Sequence, residues 1–326
     1  MKHPTLFCLL FVTLSACQRK AAEAPAPAEV AAKTVAPVKP ETVVLPPFVA
    51  SSFEAPGRIV AVGDIHGDWD AMVRALVLAG VIDADGTWVG GDTTLVQTGD
   101  VLDRGDDEQR ILDFLRELRD GARVAGGQVI LLNGNHEIMN VAGDLRYVTP
   151  DGFADFEGVE GAKLDAPVLA RAPEAARARL AAFLPGGPYA LMLADYPVIA
   201  IVDDTAFAHG GVLPDHVHYG IDRMNAETSA WMRGEQDVPV VLQSETAPIW
   251  TRIFSTDAPD CALLGQTLEL LGAKRLVVGH TVQRQGITSA CGGKVWRIDV
   301  GMSSHYGGQA DALVIDGGAV TAASAR

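Results

Sequence analysis

The chain has 326 residues, 48% of them hydrophobic and 21% charged, which suits one large or two small globular domains and excludes a disordered or fibrous chain. Its net charge of −15 excludes the basic face of a nucleic-acid binder, although metal ions and a few arginines can still make one cleft locally positive. Cys8 and Cys17 belong to an apolar leader, and no close C-x-x-C spacing suggests a zinc finger. Cys261 and Cys291 remain for the folded part, either as a disulfide or as two reduced buried thiols.

Met1-Lys2-His3 is a short cationic start, and Leu6–Leu14 is apolar but too short to span a bilayer, so residues 1–16 read as a signal peptide. The run Leu14-Ser15-Ala16-Cys17 resembles a bacterial lipobox. That resemblance implies a lipid on Cys17 and a protein held to a membrane of the bacterial envelope, facing the periplasm or the cell surface. A plain secretory signal with an incidental cysteine is the alternative. Residues 17–50 are rich in Ala and Pro with almost no aromatics, a composition that stays extended and makes a flexible tether. The folded domain is expected over 51–326, with its first strand near Arg58.

From Arg58 one grammar recurs. Ile59–Val62 leads into Gly63-Asp64-Ile65-His66-Gly67, and Leu95–Thr98 into Gly99-Asp100-Val101-Leu102-Asp103-Arg104-Gly105. Val129–Leu132 leads into Asn133-Gly134-Asn135-His136-Glu137, Thr205–Ala208 into His209-Gly210-Gly211, and Arg275–Val278 into Gly279-His280-Thr281. Each apolar run has strand length, and the glycines permit a sharp turn and close backbone approach. Asp70–Ala79 and Asp107–Leu118 carry helix spacing, with Gly80 and Gly121 as expected C-caps. Alternating strands and helices predict an α/β protein whose loops gather at the carboxyl ends of its strands. Residues 138–195, with an Ala/Arg-rich helix over Ala170–Ala182, are expected to form a helical cap or insertion. Val295–Asp299, Ala312–Ile315 and Ala319–Ala322 read as strands closing a second sheet.

One Asp after a strand is commonly a helix N-cap, and one histidine commonly a satisfied core group. Asp64, His66, Asp100, Asn135, His209 and His280 differ as a set, since all follow predicted strands. Together they offer carboxylate, amide and imidazole donors that suit a pair of divalent ions, manganese first, with iron or zinc as alternatives.

These blocks, in this order from about Arg58 to Gly301, resemble the phosphoprotein phosphatase branch of the calcineurin-like metallophosphoesterases. The resemblance implies two mixed β-sheets packed together and flanked by helices. It makes Asp64 and His66 ligands of one metal, Asn135, His209 and His280 ligands of the other, and Asp100 the bridge. Two metals about 3.5–4 Å apart can hold a hydroxide that attacks phosphorus in line. His136 then resembles the family's general acid, Asp103 its orienting carboxylate, and Arg104 a bidentate phosphate ligand. Arg252 is the expected second phosphate-binding arginine, its alternative being a surface ion pair.

Calcineurin-like phosphodiesterases commonly show GNHD and GHxH, whereas here Glu137 follows His136 and Thr281-Val282 follows His280. Bacterial diadenosine tetraphosphate hydrolases typically lack the aspartate present here as Asp103. The eukaryotic Ser/Thr enzymes end in a SAPNY segment, replaced here by Asp299–Ser303, and the tail Met302–Gly308 is closer to the bacterial Shewanella-like protein phosphatases. The expectation is a phosphatase of phosphoprotein at Ser/Thr, Tyr or both. The rivals are a nucleotide hydrolase using the same metals and a non-catalytic envelope lipoprotein that kept the fold for binding.

Overall fold

The computed structural model describes residues 49–324, so the leader, Cys8, Cys17 and most of the expected tether lie outside the described residues. Among the described residues eleven strands form two mixed sheets. In chain order they are β1 (Ser52–Phe53), β2 (Ile59–Val62), β3 (Thr94–Gln97), β4 (Gln128–Leu131), β5 (Ile199–Val202) and β6 (Thr205–Ala208). There follow β7 (Arg275–Val278), β8 (Thr288–Ala290), β9 (Val295–Arg297), β10 (Asp311–Asp316) and β11 (Ala319–Ser324). One sheet runs β11-β10-β2-β3-β4 and the other β1-β5-β6-β7-β9-β8. In the first, β2, β3 and β4 are parallel; in the second, β6, β7 and β9 are.

The continuous apolar character of these strands has a direct cause. Ile59, Ala61, Val96 and Ile130 pack between the sheets against Ala200, Val202, Phe207 and Val277. Their neighbours Val60, Val62, Leu95 and Val129 face the other way, into a core shared with the helices. Both faces are dry, so period-two alternation gives way to solid runs.

The helices are α1 (Trp69–Leu78), α2 (Glu108–Val124), α3 (Asn135–Val141), α4 (Pro150–Ala154), α5 (Glu174–Phe183) and α6 (Pro188–Leu193), then α7 (Pro214–Tyr219), α8 (Ile221–Met232) and α9 (Cys261–Leu271). Asp68 caps α1, its carboxylate accepting from the Ala71 N–H. The expected stop of α2 at Gly121 is corrected: the buried face continues to Ala122, and the left-handed turn falls at Gly126 instead. The fold also starts upstream of Arg58, because β1 pairs with Ile201 and Val202 of β5. The three C-terminal strands do not share one sheet. β9 joins β7 in parallel, whereas β10 crosses to the other layer, where Leu313 pairs with Ala61. Cys261 and Cys291 are disulfide-bonded, with Cα atoms 5.3 Å apart. Among the described residues no helix is long and apolar enough to cross a membrane.

Candidate metal centre

Two trios of parallel strands, one per sheet, end at a common edge. Asp64 and His66 follow β2, Asp100, Asp103 and Arg104 follow β3, and Asn135 and His136 follow β4. From the other sheet, His209 follows β6, His280 follows β7 and Asp299 follows β9. The loops interlock through their backbones. The N–H groups of Ile65 and His66 both donate to the Asp100 carbonyl, at 2.9 and 3.0 Å. Glu137 accepts from the backbone N–H of Gly134, Asp100, Val101 and Leu102, tying the β4 loop to the β3 loop. A Cβ on Gly134 would sit 2.3 Å from Asp100 Oδ1, and one on Gly279 would sit 2.4 Å from Asp64 Oδ1, so only glycine lets these loops close. His66, Asp100, Asp103, Arg104 and His280 all have left-handed backbone, at φ 48, 59, 67, 71 and 66°. Non-glycine residues pay strain there, and such strain concentrates at functional sites.

The hydrogen bonds of the imidazoles fix where their lone pairs point. His209 Nδ1 faces the Thr98 carbonyl at 3.0 Å, and His280 Nε2 faces the Trp250 carbonyl at 3.1 Å. A carbonyl only accepts, so those nitrogens carry the protons, and each neutral ring offers a lone pair on its other nitrogen. His209 Nε2 and His280 Nδ1 then face each other at 3.1 Å. The former also lies 2.9 Å from Asn135 Oδ1 and 3.1 Å from Asp100 Oδ2. Four acceptors converge on one point, which is the coordination a cation satisfies. His66 is arranged alike: Nδ1 donates to the Leu102 carbonyl at 2.8 Å, and Nε2 is 3.8 Å from Asp100 Oδ2. His66, Asp100 and His136 form one cluster of donor atoms within 4.8 Å, and Asp100, His209 and His280 form a second, so Asp100 belongs to both.

Charge tells the same story. Burial, then Asp299 and Asp100, push the Asp64 carboxyl well above its usual range. Burial raises Asp299 to about 6, against the hydrogen bond from the Gly301 N–H. Burial opposes a proton on His209, but Asp100 and Glu137 outweigh it and favour one. So many buried carboxylates call for positive charge, and divalent cations would take the proton's place. The residues present fit such a group.

Beside the ligand cluster, His136 Nδ1 lies 2.5 Å from Asp103 Oδ2, while its Nε2 faces Asp100 Oδ2 at 3.8 Å. Burial opposes the charged imidazole, yet Asp100, Asp103 and Glu137 carry its pKa upward. Asp103 is fully buried and does not stand alone. Its Oδ1 accepts from Asn140 Nδ2 at 3.0 Å and from Arg179 Nη2 at 3.1 Å. Arg179, on α5, is also fully buried and binds Asn140 Oδ1, the Gly152 carbonyl and both oxygens of Glu108.

Arg104 is clasped by aromatic faces, 4.6 Å from the Tyr147 ring centroid and 5.2 Å from that of Tyr306. Its Nε is buried without a partner. Arg252 reaches the rim from the other side, Nη1 donating to the His280 carbonyl at 3.2 Å. A pocket of about 90 Å³ is lined by Arg104, Arg252, Asp64, His136, Trp250 and Tyr306, among others. His209 and Asp103 lie just behind its wall, so all the described site residues predicted from sequence are gathered here; Cys17 lies outside the described residues.

Sequence reasoning missed Asp299, Glu137, Asn140, Arg179, Tyr147 and Tyr306. Asp299 obeys the same grammar as the others, a strand followed by Asp-Val-Gly, and could have been found. Arg179 had no such signal, since an arginine on an Ala-rich helix resembles solvent-facing surface.

A two-sheet α/β sandwich that collects mixed O and N donors at one edge, beside an arginine whose buried Nε has no partner, defines a metal-dependent phosphoester hydrolase. The chain belongs to the calcineurin-like phosphoesterase family, whose sequence profile matches residues 57–284. It is 40% identical over 299 residues to Shewanella-like protein phosphatase 2 of Arabidopsis thaliana, covering 82% of this chain and 76% of that one. It is 32% identical over 265 residues to Shewanella-like protein phosphatase 1 of Plasmodium berghei, covering 77% and 69%. Among solved structures, a cold-active protein tyrosine phosphatase of a psychrophilic Shewanella superposes with a TM-score of 0.67 at 26% identity, covering 84% of this chain and 80% of that one.

Proposed function

We propose that this enzyme hydrolyses phosphate monoesters on proteins, phosphotyrosine first among them. Asp64 and His66 would hold one divalent cation, Asn135, His209 and His280 a second, with Asp100 shared. The observation that carries the reading is Arg104, a guanidinium held between two tyrosine rings with a buried donor that nothing in the fold satisfies. A phosphate dianion supplies what it lacks. Arg252, across the pocket, would grip the same group. The aromatic rim of Tyr147, Trp250 and Tyr306 supports a planar leaving group, and the likeness to a tyrosine phosphatase structure supports it too.

The bound cations would supply charge neutralisation and a water of lowered pKa; manganese is our first choice, with iron or zinc as alternatives. The chain's own residues would do the rest. Arg104 and Arg252 orient the phosphate, and His136 gives its Nε2 proton to the departing oxygen. Asp103 holds the opposite Nδ1 proton and stabilises the imidazolium beforehand. We further propose that Cys17 carries a lipid that tethers the enzyme to an envelope membrane, its Ala/Pro-rich segment 17–50 acting as the spacer.

Turnover of a phosphotyrosine peptide, a phosphoserine peptide and diadenosine tetraphosphate, each with and without added Mn²⁺, tests the reading. The phosphotyrosine peptide should give the highest kcat/KM, and chelator should abolish turnover. Faster cleavage of diadenosine tetraphosphate than of either peptide would favour the nucleotide rival and sink this reading.

A further inference from the structure

A groove of about 570 Å³ leads away from the metal pocket, the two sharing Val282 in their walls. One wall is Ser255-Thr256-Asp257, ahead of α9; the other runs from Thr281 to Thr288, the first residue of β8. Arg297 spans them. Its Nε donates to Thr288 Oγ1 at 2.8 Å and its Nη1 to the Thr256 carbonyl at 2.9 Å, which leaves Nη2 for something else. Arg284, exposed on the second wall, has no partner among the described residues. The Ser255 hydroxyl, on a residue only 5% exposed, is buried without a hydrogen bond. An orphaned buried hydroxyl in a native fold calls for an explanation. Asp257 is the single carboxylate lining the groove, against two guanidinium groups, in a chain whose net charge is −15. Just beyond both walls, the Cys261–Cys291 disulfide staples them together. The groove is therefore cationic, partly unsatisfied and rigid, a combination that spares a ligand the cost of ordering it.

We propose that this groove is a second anion subsite for the substrate. It takes a carboxylate, or a second phosphate, on the same chain as the phosphate being cleaved. Arg297 and Arg284 supply the charge, and Ser255 donates its hydroxyl proton to the anion. The inference rests on the phosphoprotein reading above and narrows it to proteins whose phosphorylated residue has acidic or phosphorylated neighbours.

Three phosphotyrosine peptides test it, identical except for flanks of alanine, glutamate or phosphoserine, assayed beside p-nitrophenyl phosphate. The glutamate or phosphoserine flank should raise kcat/KM about threefold to tenfold over alanine, and the ranking of the two tells which anion the site prefers. Arg284→Glu should erase that gain and Ser255→Ala should reduce it, both leaving p-nitrophenyl phosphate turnover unchanged. The gain should also shrink in high salt. Equal rates for all flanks in the unmodified enzyme, or a gain that survives in Arg284→Glu, overturns the subsite and leaves the phosphatase reading standing. Hydrolysis of p-nitrophenyl phosphate with no turnover of any peptide overturns both.

Discussion

Arg179 reaches the centre from α5, outside every motif, and its guanidinium makes five hydrogen bonds, to Asp103, Asn140, Glu108 and the Gly152 carbonyl. Asp103 can brace His136 only while it is held still, and Arg179 and Asn140 hold the oxygen that His136 does not use. Arg179→Lys keeps the charge but loses the planar fork. It should slow turnover in proportion to leaving-group basicity, more for an alkyl than for a nitrophenyl phosphate, as steady-state kinetics would show. Arg179→Met leaves Asp103 and Glu108 buried without their cation and should cost about 3–5 kcal/mol in denaturant unfolding. His136→Asn should show the same grading more steeply, about 10²–10⁴-fold on phosphoserine peptide and progressively less on phosphotyrosine and nitrophenyl esters. An equal loss on all three, with metal content retained, removes His136 from the acid role. Asp100 stands in both donor clusters, so Asp100→Asn should lower bound metal, read by elemental analysis, further than Asp64→Asn or Asn135→Ala.

Elements explain what could be read ahead of the structure. The strands β2, β3, β4, β6 and β7 were legible because both their faces are buried, which writes them as solid apolar runs, and because a glycine-flanked polar residue follows each. The partner of a strand is not written locally. β9 and β10 both look like short closing strands, yet tertiary packing sends them to different layers. β1 is only two residues long and pairs across a separation of about 150 residues, too little pattern to detect. The ligands were legible through their shared position, whereas Asn140 and Arg179 act through contacts that no spacing encodes. The cysteines left open are joined, closing a loop with a sequence separation of 30. The paired change Cys261→Ser with Cys291→Ser should therefore lower stability by about 3–4 kcal/mol in the chain-entropy treatment, measurable by urea unfolding.

At the scale of the molecule, the catalytic domain and its proposed anchor are separate instruments. Cys17→Ser should move the protein from the membrane to the soluble fraction with specific activity unchanged; a variant still on the membrane means the anchor lies elsewhere. The two parallel trios have a further consequence, for folding. Asp64 and Asp299 bracket nearly the whole domain, and neither sheet alone carries a full set of donors, since His209 and His280 come from one and Asp64, His66, Asp100 and Asn135 from the other. The unfolded chain therefore has almost no affinity for a pair of cations, and a single assembled sheet offers only Asp64, His66 and Asp100, the set for one; the set of Asn135, His209 and His280 exists only once the sheets are joined. Ions that bind only the joined sheets add their whole binding free energy to the resistance of the sandwich against coming apart. The metal centre would thus be a rivet as well as a reagent, closed by the donor set that both sheets share.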